Sequence, residues 1–359
     1  MAAPLKFAVL GTANIANDVS NAIRSAGHIV EAVASRDLNR AREWAEKRDI
    51  PKYYGSYQEA LNDTSIDAVY IPLPTTIAEE WALKAAAQKK HILVDKPFSS
   101  SANVRRIAEA CESNQVVFLD GTHFVHSPRL QEMQRQIKQG TIGKLLKVSV
   151  ACTTFLPSKE DIRYDPSLEP TGCLGDIGWY AVRFALSFVG YDTKVSSVYA
   201  TASKTHTGAL EDCCGVIHFA TGQTVHFDCG FTCGFRQWGE CVGERGTVTV
   251  DDFIVPFTCG GSFFPRDKSK YNPNLKFRIN KLAVEKDNKL EMIDPVIQEI
   301  EVSGNNKSQS AAMIDTFASL VRNEAGWKRS KWTLETIRTQ ELIDALFQSC
   351  EKQSVVYLE

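Results

Sequence analysis

Apolar residues in the first third of this 359-residue chain gather into short unbroken runs: "KFAVL" (6–10), "EAVAS" (31–35), "AVYI" (68–71), "HILV" (91–94) and "VVFLD" (116–120). Such runs, rich in β-branched residues, mark strands buried on both faces. Between them, amphipathic stretches at about 14–25, 38–48, 77–89 and 100–113 have the spacing of helices. Strands and helices alternating in this way predict a parallel sheet with right-handed crossovers. Residues 1–124 are therefore expected to form an α/β, doubly wound domain.

After a further helix at roughly 128–139 the rhythm changes. From "KLLKVSVACTTF" (144–155) onward the chain carries one helical stretch, 173–188, and then strands in "KVSSVYATAS", "CCGVIHFA", "QTVHFDCGF" and "RGTVTV". The turns "ATGQ" (220–223) and "GERG" (243–246) suit antiparallel hairpins. Residues 125–359 are thus expected to form an α+β domain with a mostly antiparallel, open-faced sheet. Two closing helices, 309–323 and 332–351, carry apolar residues such as Met313, Phe317, Leu320 and Val321 at helical spacing, and pack as core. The stretches 156–170 and 259–274 are long for connections, which makes them candidates for lids or partner contacts.

Composition narrows the function classes. A hydrophobic content of 43% with 23% charged residues is that of a soluble globular protein. A formal charge of −2 gives no electrostatic case for nucleic acid or an anionic membrane surface. The apolar run near the N-terminus is broken by Gly11 and lacks a basic flank and cleavage site, so no signal peptide is read and the expected compartment is the cytosol. Among ten cysteines the tightest cluster, Cys213, Cys214, Cys229 and Cys233, has no CxxC pair. Reduced thiols serving as small hydrophobes are expected, and no metal.

The first strand–helix turn reads "GTANIA" (11–16), a variant of the dinucleotide fingerprint with Gly11 for the tight turn, Ala13 at the pyrophosphate approach and Ala16 at the helix–strand contact. The second strand ends in Ser35-Arg36 where NAD-binding domains usually place an acidic residue. A hydroxyl beside a guanidinium suits a 2′-phosphate, so NADP is favoured, and Asp37 reads as the cap of the next helix. Ligands of open parallel sheets bind at the carboxyl ends of the strands. "VDKPFSS" (94–100) stands at such an end: Pro97 keeps Lys96 out of the following helix, Asp95 can pair with the lysine or accept from a hydroxyl, and Ser99 or Ser100 caps the helix. Farther along, Asp176, Tyr180 and Arg183 are spaced to share one helical face beside an apolar stripe of Leu174, Ile177, Ala181 and Phe184. Gly172, Gly175 and Gly178 are poor helix formers, which points to close approach of backbone or ligand.

These features resemble the NAD(P)-dependent oxidoreductases named for glucose–fructose oxidoreductase, inositol dehydrogenase and a rhizopine catabolism protein, the Gfo/Idh/MocA family. "VDKP" resembles its Glu-Lys-Pro motif, "LGDIGWY" (174–180) its Leu-x-Asp-x-Gly-x-His motif, and "VGERGTVTV" (242–250) a further family element, so the resemblance spans nearly the whole chain. Tyr180 stands where many members have histidine, a Lys–Tyr version similar to glucose–fructose oxidoreductase and to the dimeric dihydrodiol dehydrogenases that also handle D-xylose. "IPLPTT" (71–76) lacks the Asn-x-x-His often found there, and "GDIGWY" and "DGTHFVHSPR" look most like plant members.

The resemblance implies hydride transfer between NADP and a secondary or anomeric hydroxyl of a sugar, polyol, glycoside or cyclic dihydrodiol. Tyr180 is the implied acid/base, Lys96 the ammonium that favours its phenolate, and Asp176 the carboxylate that orients neighbouring hydroxyls. The expected cofactor contacts are Gly11, Thr12, Ala13, Asn14, Ile15, Ser35, Arg36, Pro72, Leu73, Asp95, Lys96 and His123. Arg163, Arg183 and Thr122 are further substrate candidates, whereas His126 reads as packing or surface. The scheme requires Tyr180 to meet Lys96. The alternative is a catalytically silent NADP-binding sensor or scaffold. The open sheet offers a face for a homodimer.

Overall fold

The structure is a computed structural model that describes residues 3–257, 274–286, 289–304 and 307–358. The long stretch 259–274 proposed as a loop falls, but for its last residue, outside the described residues. The chain divides into two compact units.

The first unit opens with β1 (Lys6–Leu10), α1 (Asn14–Ser25), β2 (Ile29–Ala34), α2 (Leu38–Glu46), β3 (Lys52–Tyr54) and α3 (Tyr57–Asn62). It continues with β4 (Ala68–Ile71), α4 (Thr75–Ala87), β5 (His91–Val94), α5 (Ser101–Asn114) and β6 (Phe118–Asp120). The six strands pair in parallel in the order β3-β2-β1-β4-β5-β6. The order reverses between β1 and β4, the switch point where a doubly wound sheet opens a crevice for ligand. Phe7, Val9, Val33, Val69, Ile92 and Leu93 are fully buried, as unbroken apolar strands require. Asp37 caps α2 by accepting from Asn39 and Arg40 N–H, and Ser100 caps α5.

The second unit contains α6 (Pro128–Lys138), β7 (Leu145–Thr153), α7 (Gly172–Asp176), α8 (Gly178–Val189), β8 (Val195–Lys204), β9 (Leu210–Phe219), β10 (Thr224–Gly230), β11 (Arg236–Gly243) and β12 (Gly246–Val250). β13 (Asn274–Lys286) and β14 (Lys289–Ser303) form a long hairpin at one edge. The helix expected over 173–188 is in fact two, broken at Ile177, so Asp176, Tyr180 and Arg183 do not share one continuous helical face. Two of the glycines stand where a side chain has no room. A β-carbon on Gly172, which has φ +49°, would lie 2.4 Å from the Leu210 carbonyl oxygen, and one on Gly178 would lie 2.9 Å from Cys229 Sγ. Backbone and side-chain packing therefore account for these two glycines.

The chain ends with α9 (Gln309–Arg322), α10 (Lys331–Lys352) and β15 (Val356–Tyr357). With β15 the second sheet has nine strands among the described residues, β14-β13-β12-β11-β7-β10-β9-β8-β15, antiparallel there except for the β7–β10 pair. Residues 307–340, read from sequence as part of the second domain, belong to the first unit. The cause is burial: Ala311, Met313, Ile314 and Phe317 of α9 join the core of Phe7, Val9, Ile23 and Val30, with the Phe317 and Phe7 rings 5.6 Å apart. Leu342, Ile343 and Leu346, from the later part of α10, are buried in the second unit. That unit also buries Arg129, whose guanidinium donates to the Asp252 carboxylate (2.5 Å), the Asp252 carbonyl (2.7 Å) and the Lys276 carbonyl (3.2 Å).

Candidate active site

In the first unit the glycine turn lies at the carboxyl end of β1. Gly11 has φ +115°, a conformation that favours glycine, and its N–H donates to the Ala34 carbonyl. A β-carbon there would press on the Leu73 side chain at 3.1 Å, so Gly11 and the Pro72-Leu73 segment after β4 meet at the switch point. Thr12 and Ala13 are half-buried, Asn14 is exposed as the first residue of α1, and Ile15 leans on the core. No side chain caps α1, and its first turn holds no acidic residue. A twelve-residue helix presenting its N-terminal N–H groups over a glycine turn suits a pyrophosphate.

At the end of β2, Ser35 is nearly buried and its hydroxyl accepts from Asp37 N–H, while Arg36 is exposed. The phenol of Tyr57, the first residue of α3, lies near the guanidinium of Arg36. Burial pushes the Tyr57 phenol up, and the nearby Arg36 and Arg40 guanidinium groups pull it back. The Tyr57 ring is held edge-on against Trp81 at 5.0 Å. An exposed guanidinium beside a hydroxyl fits a 2′-phosphate.

Beyond β5, the Asp95 carboxylate accepts from the buried Tyr70 hydroxyl at 2.9 Å, and Asp95 N–H donates to the Ile71 carbonyl. Lys96 is half-buried and joined to Pro97 by a cis peptide bond. Gly121 packs so closely on Asp95 that an added β-carbon would overlap its carboxylate. Thr122 is fully buried and donates its N–H to Asp120. His123 Nδ1 lies 3.2 Å from Gln309 Oε1. Burial above all, opposed by the Gln309 hydrogen bond and aided by the Lys96 ammonium, lowers the His123 imidazole to about 4, so the ring is neutral at physiological pH. His126 is buried, the first of the two positions, packing or surface, that the sequence left open.

In the second unit Asp176 ends α7 and Tyr180 lies in the first turn of α8, its ring 6.1 Å from that of Phe124. Arg163 stands in a short 3₁₀ turn, Ile162–Tyr164, within the loop 156–170. Its Nε donates to Asp176 Oδ2 at 2.6 Å and its Nη1 to Asp161 Oδ1 at 3.1 Å. Both carboxylates raise the guanidinium's hold on its proton, Asp176 most. Arg183 is fully buried with its guanidinium 5.3 Å over the Tyr191 ring, an interior position.

Sequence reasoning missed Tyr57, Asp161, Gln309, Thr336 and Gln340. Among the described residues, no group of three or more His, Cys, Asp or Glu side chains could hold a metal, and no helix is long and apolar enough to cross a membrane.

The first unit is a dinucleotide-binding domain by strand order, turn and switch point. The profile of an oxidoreductase family with an NAD-binding Rossmann fold, GFO_IDH_MocA, matches residues 5–122, and that of the GFO/IDH/MocA C-terminal domain matches residues 130–249. A D-xylose 1-dehydrogenase (NADP(+)) of Haloferax volcanii is 34% identical over 231 residues, 63% of this chain and 70% of that protein. A trans-1,2-dihydrobenzene-1,2-diol dehydrogenase of Mus musculus is 28% identical over 70% of this chain and 76% of its own. The 3-ketoreductase KijD10 of Actinomadura kijaniata, solved with NADP and TDP-benzene, shares the fold with a TM-score of 0.82, at 22% identity and over 97% of this chain and 98% of its own. The chain belongs to the Gfo/Idh/MocA oxidoreductase family.

Proposed function

We propose that this protein is an NADP-dependent dehydrogenase or reductase that transfers hydride between the nicotinamide and a secondary or anomeric hydroxyl of a sugar, polyol, glycoside or cyclic dihydrodiol. The observation that carries the reading is the placement of these residues within their own units: Lys96 at the carboxyl end of β5 in the dinucleotide-binding unit, and Asp176 with Tyr180 at the α7–α8 break. The dehydrogenase and reductase names of the relatives support it.

When bound, NADP supplies the carbon that accepts or returns hydride. The α1 N-terminus and the Gly11 turn would hold the pyrophosphate, and Ser35 and Arg36 the 2′-phosphate. Tyr180 takes the hydroxyl proton on oxidation and returns it on reduction. A free phenol, at about 10, is poorly suited to that task at neutral pH, and an ammonium close to it favours the phenolate. Lys96 is that ammonium. Asp176 accepts from an adjacent substrate hydroxyl and so selects which carbon faces the nicotinamide. His123 stands on the cofactor side, and Thr122, fully buried, holds the turn behind it through its N–H to Asp120 rather than meeting substrate itself.

Tyr180→Phe tests the assignment. Turnover should fall by about 10²–10⁴, the usual worth of an acid/base group, while NADP still quenches tryptophan fluorescence. Normal turnover would refute it.

We further infer a homodimer and a reducing compartment. Leu146 and Tyr199, large apolar side chains exposed on strands of the nine-stranded sheet, support self-association on that sheet. The nine described cysteines are all unbridged, which supports the cytosol. Sedimentation at several concentrations and fractionation of cells test these two points.

A further inference from the structure

We propose that Gln340, near the middle of α10, is a positioning residue for Lys96. The proposal rests on Lys96 being catalytic.

The backbone around Lys96 is held from both sides. Upstream, Asp95 N–H donates to Ile71, the Asp95 carboxylate takes the Tyr70 hydroxyl, and Gly121 N–H donates to Val94. Downstream, Pro97 has no N–H, so the first backbone donor after Lys96 is Phe98. That N–H points to the side-chain oxygen of Gln340, 242 residues away in sequence, at 3.2 Å. Gln340 is fully buried and Phe98 is 3% exposed, its ring edge-on to Phe118 at 6.0 Å. A buried hydrogen bond of this kind is not exchanged for water, so losing the acceptor removes this restraint from the backbone two residues from the ammonium.

Gln340 does not act alone. Thr336, one turn earlier in α10, donates to Asp120 Oδ2, and Asp120 Oδ1 accepts from Thr122 N–H at 2.8 Å. Gln309, which opens α9, holds His123. Three polar side chains from residues 307–340 thus grip the chain after β5 and after β6, where the cofactor-side residues lie. Apolar residues would fill the same space, so the acceptor oxygen of Gln340 has a purpose besides packing.

Gln340→Met keeps the volume and removes the acceptor. We expect kcat per folded enzyme to fall about tenfold, since small displacements of a catalytic group are costly, with NADP affinity changed less than about twofold. Gln340→Glu, which keeps an oxygen at the same reach, should recover much of the loss. Arg129→Met, which breaks a buried ion pair in the second unit, should lower stability with kcat per folded enzyme unchanged. If Gln340→Met fails to fold, amide exchange in the wild-type chain still decides: Phe98 N–H should be strongly protected without substrate. Unchanged kcat in Gln340→Met, or a Phe98 amide that exchanges as fast as an exposed loop, overturns the proposal. Full turnover in Lys96→Met would instead overturn the catalytic reading on which it rests.

Discussion

Arg163 and Asp176 form a short ion pair, Nε to Oδ2 at 2.6 Å, with the carboxylate 15% and the guanidinium 34% exposed. Asp161 takes the other side of the same guanidinium and caps the turn that carries it. Arg163 therefore braces the carboxylate proposed to orient substrate. Arg163→Met should raise KM for the hydroxyl substrate roughly tenfold, from losing a charged hydrogen bond worth about 1.5–3 kcal/mol discounted for exposure. Arg163→Lys should recover part of it, because lysine keeps the charge and loses the fork. Steady-state kinetics of the three proteins, with NADP saturating, check this.

The Arg36 guanidinium lies near the Tyr57 phenol, so removing that hydroxyl should act on NADP and spare NAD. Tyr57→Phe is expected to weaken NADP several-fold, and Arg36→Leu about tenfold or more, the loss of a charge-assisted contact to phosphate. The ratio of kcat/KM for NADP over NAD is the quantity to measure. A ratio unmoved in Arg36→Leu would remove the 2′-phosphate assignment.

His123 links stability to pH. Its folded value, about 4, lies below the ordinary imidazole value of 6.5, so between those limits the unfolded chain binds more protons. Stability must then decline as pH falls from 6.5 toward 4, and this contribution levels off below that. Burial also lowers His28, His91 and His226, which add to the same slope. His123→Gln should flatten the decline in melting temperature over this range relative to wild type. An identical slope would contradict the environment described for His123.

Much of the first unit was legible because its strands are buried on both faces. "KFAVL", "AVYI" and "HILV" match β1, β4 and β5 to the residue, and α1 matches 14–25. β3 and α3 escaped because three residues at a sheet edge and a six-residue helix are too short to show a period, and with them went Tyr57. β14 escaped for another reason: it is an edge strand exposed along most of its length and interrupted by Pro295, so no alternation of buried and exposed positions marks it. Motif chemistry at Lys96, Asp176 and Tyr180 could be read locally. The grip of Gln309, Thr336 and Gln340 could not, because it depends on which unit the last helices join. One signal was present: Thr336 and Gln340 interrupt the stripe that continues to the buried Ile343, and polar residues on a core-facing stripe need partners.

The buried Arg129–Asp252 pair gives a stability prediction independent of catalysis. Removing one partner strands the other charge, which typically costs about 3–5 kcal/mol. Arg129→Met should lower the urea midpoint accordingly in equilibrium unfolding. A change within about 0.5 kcal/mol, the range of ordinary surface substitutions, would show that the pair is open to solvent.

The central claim is NADP-dependent hydride transfer to and from a carbinol carbon. It is tested most directly by offering pentoses, hexoses, polyols, glycosides and cyclic diols with NADP and following the nicotinamide absorbance. The account predicts reduction of NADP with at least one of them, lost in Tyr180→Phe while NADP remains bound. NADP bound by the wild-type protein with no reduction in any pairing would contradict it and favour a catalytically silent NADP-binding sensor or scaffold.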